Sequence, residues 1–165
     1  MKANDKVLIG IVVGIVILII TALVITLMKP EPTYLAEDTP EGVAHNYLLA
    51  IQQEDYERAY GYLSPTLVGY PRLEEEFIED IQNNSWSFRL DRSTTLSVEA
   101  STITGSKSNV TVRELSIFGD DLFNSGQSTN NFEMNMHRIS GEWKIVDSNY
   151  YFASCWEWES GCPHK

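Results

Sequence analysis

Residues 39–65, TPEGVAHNYLLAIQQEDYERAYGYLSP, are two helices written in sequence. Thr39 offers a capping hydroxyl, Pro40 suits the first helical position, and Glu41 places an acid in the first turn. Val43, Ala44, Tyr47, Leu48 and Ile51 then recur at helical spacing. The pattern predicts a stop at Gln53–Glu54. Asp55 caps a second, short helix with Tyr56, Ala59, Tyr60 and Leu63 on its apolar side, and Ser64–Pro65 ends it.

Downstream, Pro71 is expected to open a third helix. Its core stripe is Leu73, Phe77, Ile78 and Ile81; Glu74, Glu75, Glu76, Glu79 and Asp80 read as its solvated face. From Trp86 the period becomes two. Trp86, Phe88 and Leu90 alternate with polar residues, as do Leu96, Val98 and Ala100 before a turn at Gly105–Ser106. Val110 and Val112 return, and Leu115 and Ile117 continue on the other parity, which predicts a bulge near Glu114. After a polar loop, 119–131, Phe132, Met134 and Met136 alternate, Ser140–Gly141 makes a tight turn, and Trp143 and Ile145 form the last strong strand. Tyr150, Tyr151 and Phe152 extend it or cover an edge. Helices followed by a strand meander argue an α+β domain: three helices packed on a curved antiparallel sheet of four to five strands.

Upstream lies a different solvent. Val7 to Met28 is a run without a charge. As a helix it reaches roughly 33 Å, enough to cross a hydrocarbon core. Lys2 and Lys6 precede it, while Glu31, Glu37, Asp38 and Glu41 follow Lys29. This asymmetry favours a cytoplasmic N-terminus and a domain outside. A cleaved signal peptide has a shorter apolar stretch and a small-residue exit, and neither fits Ile25 to Met28. The expected partition is a cytoplasmic 1–6, a membrane helix 7–28 in the bilayer, an extended linker 29–38, the α+β domain 39–152 and a tail 153–165. Gly10 and Gly14 form a GxxxG pair, the spacing at which two membrane helices approach closely, so a homodimer face is a candidate.

Asp5 and Glu31 are the only acids before Thr33, and Lys2, Lys6 and Lys29 the only bases, so the segment from Thr33 keeps 21 acidic and 9 basic residues. A domain this acidic repels nucleic acid and anionic head groups. The two cysteines, Cys155 and Cys162, are spaced for a small closed loop, which an oxidising compartment permits. The rival is a metal site from Cys155, Cys162 and His164; it lacks a fourth ligand, so no metal and no cofactor are expected.

The stretch from Thr39 to Pro65, with its acidic break, its Tyr56–Ala59–Tyr60 pattern and Leu63–Ser64–Pro65, resembles the opening of the nuclear transport factor 2-like (cystatin-like cone) superfamily. Gly141, Glu142, Trp143, Lys144 and Ile145 are similar to its last hairpin. The resemblance covers about residues 38 to 148. It implies a curved sheet wrapped around a helix, leaving a cone-shaped cavity. Some members are isomerases, dehydratases or cyclases, and many others are non-catalytic binding or dimerising modules, so the fold does not choose a function.

Enzymatic members place an Asp, Glu or His inside the cone. Here the candidates are Glu114, Asp91 and His45, with Glu99 also near a strand; an exposed carboxylate is the plainer expectation for each acid. His137 shares its strand face with Glu133 and Asn135 and so is expected at solvent. Tyr47, Tyr60, Trp86 and Phe88 are candidates for lining a pocket. No nucleophile–base pairing or phosphate loop is visible. Three functions follow: a non-catalytic membrane-anchored module binding an unidentified protein or small molecule, a tethered small-molecule isomerase or dehydratase with its acid or His in the cone, or a structural subunit of an envelope complex. A cavity filled by Trp and Phe side chains would count against the enzyme.

Overall fold

The chain divides at Thr33 into two units. The computed structural model describes residues 3–27, 32–89, 94–118 and 126–163. The first unit is one helix, α1, Ala3–Leu27. Its segment Val7–Val24 is long and apolar enough to cross a membrane by length and composition. Side chains throughout that segment are exposed, and a Cβ at Gly10 or Gly14 would meet only open space.

Among its described residues the second unit has four helices, α2 (Pro40–Gln52), α3 (Tyr56–Gly61), α4 (Glu74–Asn83) and α5 (Ser85–Phe88). Four strands follow: β1 (Thr94–Thr104), β2 (Lys107–Phe118), β3 (Gly126–Ile139) and β4 (Glu142–Ser148), with a 3-10 turn at Ser154–Glu157. The strands form one antiparallel sheet in the order β1-β2-β3-β4. The α+β class is as the sequence predicts.

Local chemistry sets the helix starts. Thr39 Oγ1 accepts the Gly42 N–H at 3.1 Å, and Asp55 Oδ1 accepts the Arg58 N–H at 3.4 Å. Gly42 is a close approach, because a Cβ there would strike the carbonyl oxygen of Ala36. The chain from Tyr34 onward is docked rather than free. Asn46 bonds both backbone groups of Leu35, at 2.7 and 2.9 Å. Tyr34 donates to Asp55 at 2.9 Å under the Arg58 guanidinium, which lies 3.8 Å from its ring centre.

α2 lies on the inner face of the sheet. Val43, Tyr47, Leu48 and Ile51 are buried in one core with Val110, Val112, Phe132, Met134, Met136 and Ile145. The segment after α3 covers the β4 edge: Ile145 donates to Tyr62 O at 2.9 Å and Ser64 to Ile145 O at 2.8 Å. β1 is the other edge, and its register shifts between Val98 and Ala100. Such a bulge disrupts the flat ladder that a second chain would pair with.

Several expectations are corrected. Pro71 does not open the third helix; α4 starts at Glu74 with Leu73 as its N-cap. Arg72 N–H donates to Glu76 Oε2 at 2.7 Å, so the acidic first turn satisfies a group ahead of the helix. Trp86 and Phe88 are not in a strand but in α5, which ends where Arg89 adopts a left-handed φ of 56°. The predicted bulge at Glu114 is absent, since β2 pairs continuously with both neighbours there. Leu115 and Ile117 simply occupy the outer face while Glu114 stays on the inner one. Asp80, expected on a solvated face, is buried. Leu90, Asp91 and His164 lie outside the described residues.

Candidate functional site: the filled interior

Residues that follow β4 join the core formed by the helices and the sheet. Tyr151, Phe152, Ala153, Cys155 and Trp156 are all buried. Tyr47 donates to Tyr151 O at 2.5 Å, and Ser87 holds Phe152 O at 3.1 Å. The Trp156 ring is stacked on Phe77, centroids 5.4 Å apart, and meets Phe88 and Phe152 edge-on at 5.8 and 4.9 Å. Its indole N–H donates to Asp80 Oδ2 at 2.7 Å. A tryptophan enters a core only with its N–H satisfied, and α4 supplies the acceptor. Cys155 and Cys162 form a disulfide, Cα atoms 4.9 Å apart, which closes the loop beyond Trp156.

Beside this plug sits the interior's ion pair. Glu114 is 2% exposed and Arg89 8%. Arg89 Nε lies 3.3 Å from Glu114 Oε1, and Ser116 Oγ donates to the same oxygen at 3.2 Å. The guanidinium carbon stands 4.0 Å from the Tyr150 ring centre and 5.5 Å from that of Trp86. Two rings thus cover a cation already committed to a carboxylate. Glu114 Oε2 makes no hydrogen bond among the described residues.

Burial also marks the tyrosines. Tyr62 is pushed up to about 12, first by burial and then by the hydrogen bond it donates to Glu37 at 2.7 Å. Tyr47 is pushed up by burial alone. Tyr70 is raised by burial and by Tyr60, whose ring stacks on it at 5.3 Å.

The sequence-predicted site residues do not converge. Tyr47 and Phe88 are core, and Tyr60 is half-buried with its hydroxyl donated to Pro71 O at 2.7 Å. Trp86 is 65% exposed. His45 is half-buried on α2. Glu99 is on the outer side, 3.1 Å from Arg113. His137 lies on the outer face between Lys107 and Lys144, its register partners. Among the described candidate acids and histidines, Glu114 alone is buried, and it gets there by continuous pairing rather than by a bulge. Arg89, Asp80 and Trp156 escaped sequence reasoning; an arginine one residue after an apolar pair was the one local hint.

Among the described residues, no group of three His, Cys, Asp or Glu side chains is placed to hold a metal ion. A hollow of about 450 Å³ between Glu37, Arg58, Tyr62, Glu142, Trp143 and Lys144 is open to solvent. Its charges are already engaged: Lys144 Nζ donates to Gly61 O at 2.8 Å and pairs with Glu142 at 2.9 Å.

No family model and no curated protein matches the sequence. Solved structures do. A ketosteroid isomerase-like protein from Shewanella frigidimarina is 18% identical with a TM-score of 0.48, covering 70% of this chain and 98% of that one. A SEC-C motif containing protein from Rhodopseudomonas palustris is 15% identical with a TM-score of 0.48, covering 69% and 80%. An NTF-2 like protein of unknown function from Shewanella oneidensis is 10% identical with a TM-score of 0.44, covering 64% and 90%. The structural neighbours are nuclear transport factor 2-like and cystatin-like cone proteins. Likeness at this level assigns no activity to this chain.

Proposed function

We infer that this chain is a non-catalytic binding module, held in a membrane by α1 and displaying residues 34–165 outside the cytoplasm. The observation that carries the non-catalytic part is Trp156, fully buried among Phe77, Phe88 and Phe152, a tryptophan packed into the interior rather than an open cavity. Glu114, buried on the inner face of the sheet, is engaged by Arg89 and Ser116. The anchor rests on the exposed apolar face of α1 and on Lys2 and Lys6 before it. A disulfide suits the oxidising side of a membrane. Bilayer contact through residues 7–28 and pairing of two copies through Gly10 and Gly14 belong to the same proposal.

Two measurements test it. The full chain should stay with membranes through alkaline carbonate washing, and protease added outside intact cells should remove the domain. Purified full chain should leave an enolisable 3-oxo steroid unchanged. Recovery of a soluble product beginning beyond Met28 defeats the anchor. Turnover abolished by Glu114→Gln defeats the non-catalytic reading. The rival, a tethered isomerase, draws its support from Glu114 Oε2, which is buried without a hydrogen bond.

A further inference from the structure

Three exposed apolar side chains of the second unit fall on two segments that pack together. Val68 and Leu73 lie on the loop before α4, and Trp158 lies in the disulfide loop; they are 65, 58 and 50% exposed. The segments meet at Gly69, whose N–H donates to Trp156 O at 2.8 Å. A Cβ at Gly69 would stand 2.5 Å from Cys155 O and 2.7 Å from Trp158 O, so nothing larger fits this seam.

Trp158 is held outward by its backbone. Its N–H donates to Cys155 O at 3.1 Å, and its carbonyl accepts the Gly161 N–H at 3.0 Å. The disulfide fixes the same loop. Trp156 thus faces the core while Trp158, two residues on, faces water. An exposed indole on a fixed loop gives large contact area with little ordering loss, the property of residues that dominate interfaces. Acids surround it. Glu157 and Glu159 flank Trp158 and are exposed, and after Leu73 come exposed Glu75 and half-buried Glu74 and Glu76, the last of which accepts the Arg72 N–H.

We propose that these two abutting segments, presenting Val68, Leu73 and Trp158, dock a protein segment that is apolar and basic, an amphipathic stretch with Lys or Arg beside large apolar side chains. The inference rests on the binding-module reading and names the partner's chemistry. The apolar centre takes the apolar side chains. The acidic rim attracts the flanking cations and repels acidic competitors, which sets encounter rate and selectivity.

The test uses the full chain in nanodiscs of uncharged lipid, with empty nanodiscs as background. The probe is a fluorescent amphipathic peptide of leucine and lysine, read by anisotropy. Trp158→Ala should weaken binding about tenfold, as loss of a central indole does. Glu157→Gln with Glu159→Gln should weaken it several-fold and flatten its salt dependence. Glu99→Gln with Glu133→Gln, on the outer sheet face, should leave it unchanged. The proposal is overturned if Trp158→Ala binds as the parent does, or if the sheet-face pair loses as much as the rim pair, which would reveal general charge attraction. Either failure leaves the non-catalytic reading standing, because the steroid assay decides that separately.

Discussion

The Trp156 indole donates to Asp80 Oδ2 across a separation of 76 residues, tying α4 to the segment beyond the sheet. Asp80→Ala strands that N–H in a dry core, a loss of about 1–3 kcal/mol. Asp80→Asn retains an acceptor and should lose less. Urea unfolding followed by tryptophan fluorescence distinguishes them, and equal losses would mean that the hydrogen bond is not what Asp80 provides.

Trp156→Ala should destabilise by about 3–5 kcal/mol, through lost transfer energy and the cavity left among Phe77, Phe88 and Phe152. The same variant should gain uptake of a small apolar dye. A variant as stable as the parent would show that the tryptophan does not fill the interior.

Glu114→Ala leaves the Arg89 guanidinium buried without its counter-charge, and should cost about 3–5 kcal/mol. Arg89→Met combined with Glu114→Leu removes both charges and should be far less damaging than either single change implies. Additive losses in this double-mutant cycle would argue against a coupled pair.

The Cys155–Cys162 crosslink closes a short loop, and its reduction should lower stability by about 2–3 kcal/mol on the chain-entropy estimate. Unfolding midpoints with and without reductant, compared with Cys155→Ser/Cys162→Ser, check this. The double serine variant should be insensitive to reductant.

Alkali should unfold the domain early. The folded Tyr62 hydroxyl titrates at about 12, raised from 10.0, so between these values the unfolded chain releases a proton that the folded one keeps. Stability is therefore intact below pH 10 and falls as pH rises toward 12. Tyr62→Phe should flatten that fall in urea midpoints measured across the window. An unchanged slope would remove Tyr62 from the transition.

Features readable from the sequence were those whose cause is local. The Thr39 and Asp55 caps, Pro40 and the Ser140–Gly141 hairpin turn each fix their own backbone within a few residues. Features that misled have distant causes. Trp86 and Phe88 alternate over too short a span to separate a strand from one helical turn, and it is Arg89 meeting Glu114 and Tyr150 that fixes the chain there. Asp80 belongs to an acidic run, and only a ring 76 residues away identifies it as interior. Glu114 was singled out for a bulge that does not exist; its partner on α5's flank is what draws a carboxylate inward. The buried cluster around Trp156 was not legible, since no local pattern announces that a segment beyond β4 packs into the interior.

Because Trp156 comes after every strand in the order of synthesis, the helices and sheet emerge from the ribosome before the ring they close around. A nascent chain paused after Ser148 would hold Phe77 and Phe88 against water and leave Asp80 without its indole. Such an intermediate exposes apolar surface of the kind that invites aggregation, and it persists until the segment carrying Trp156 is made.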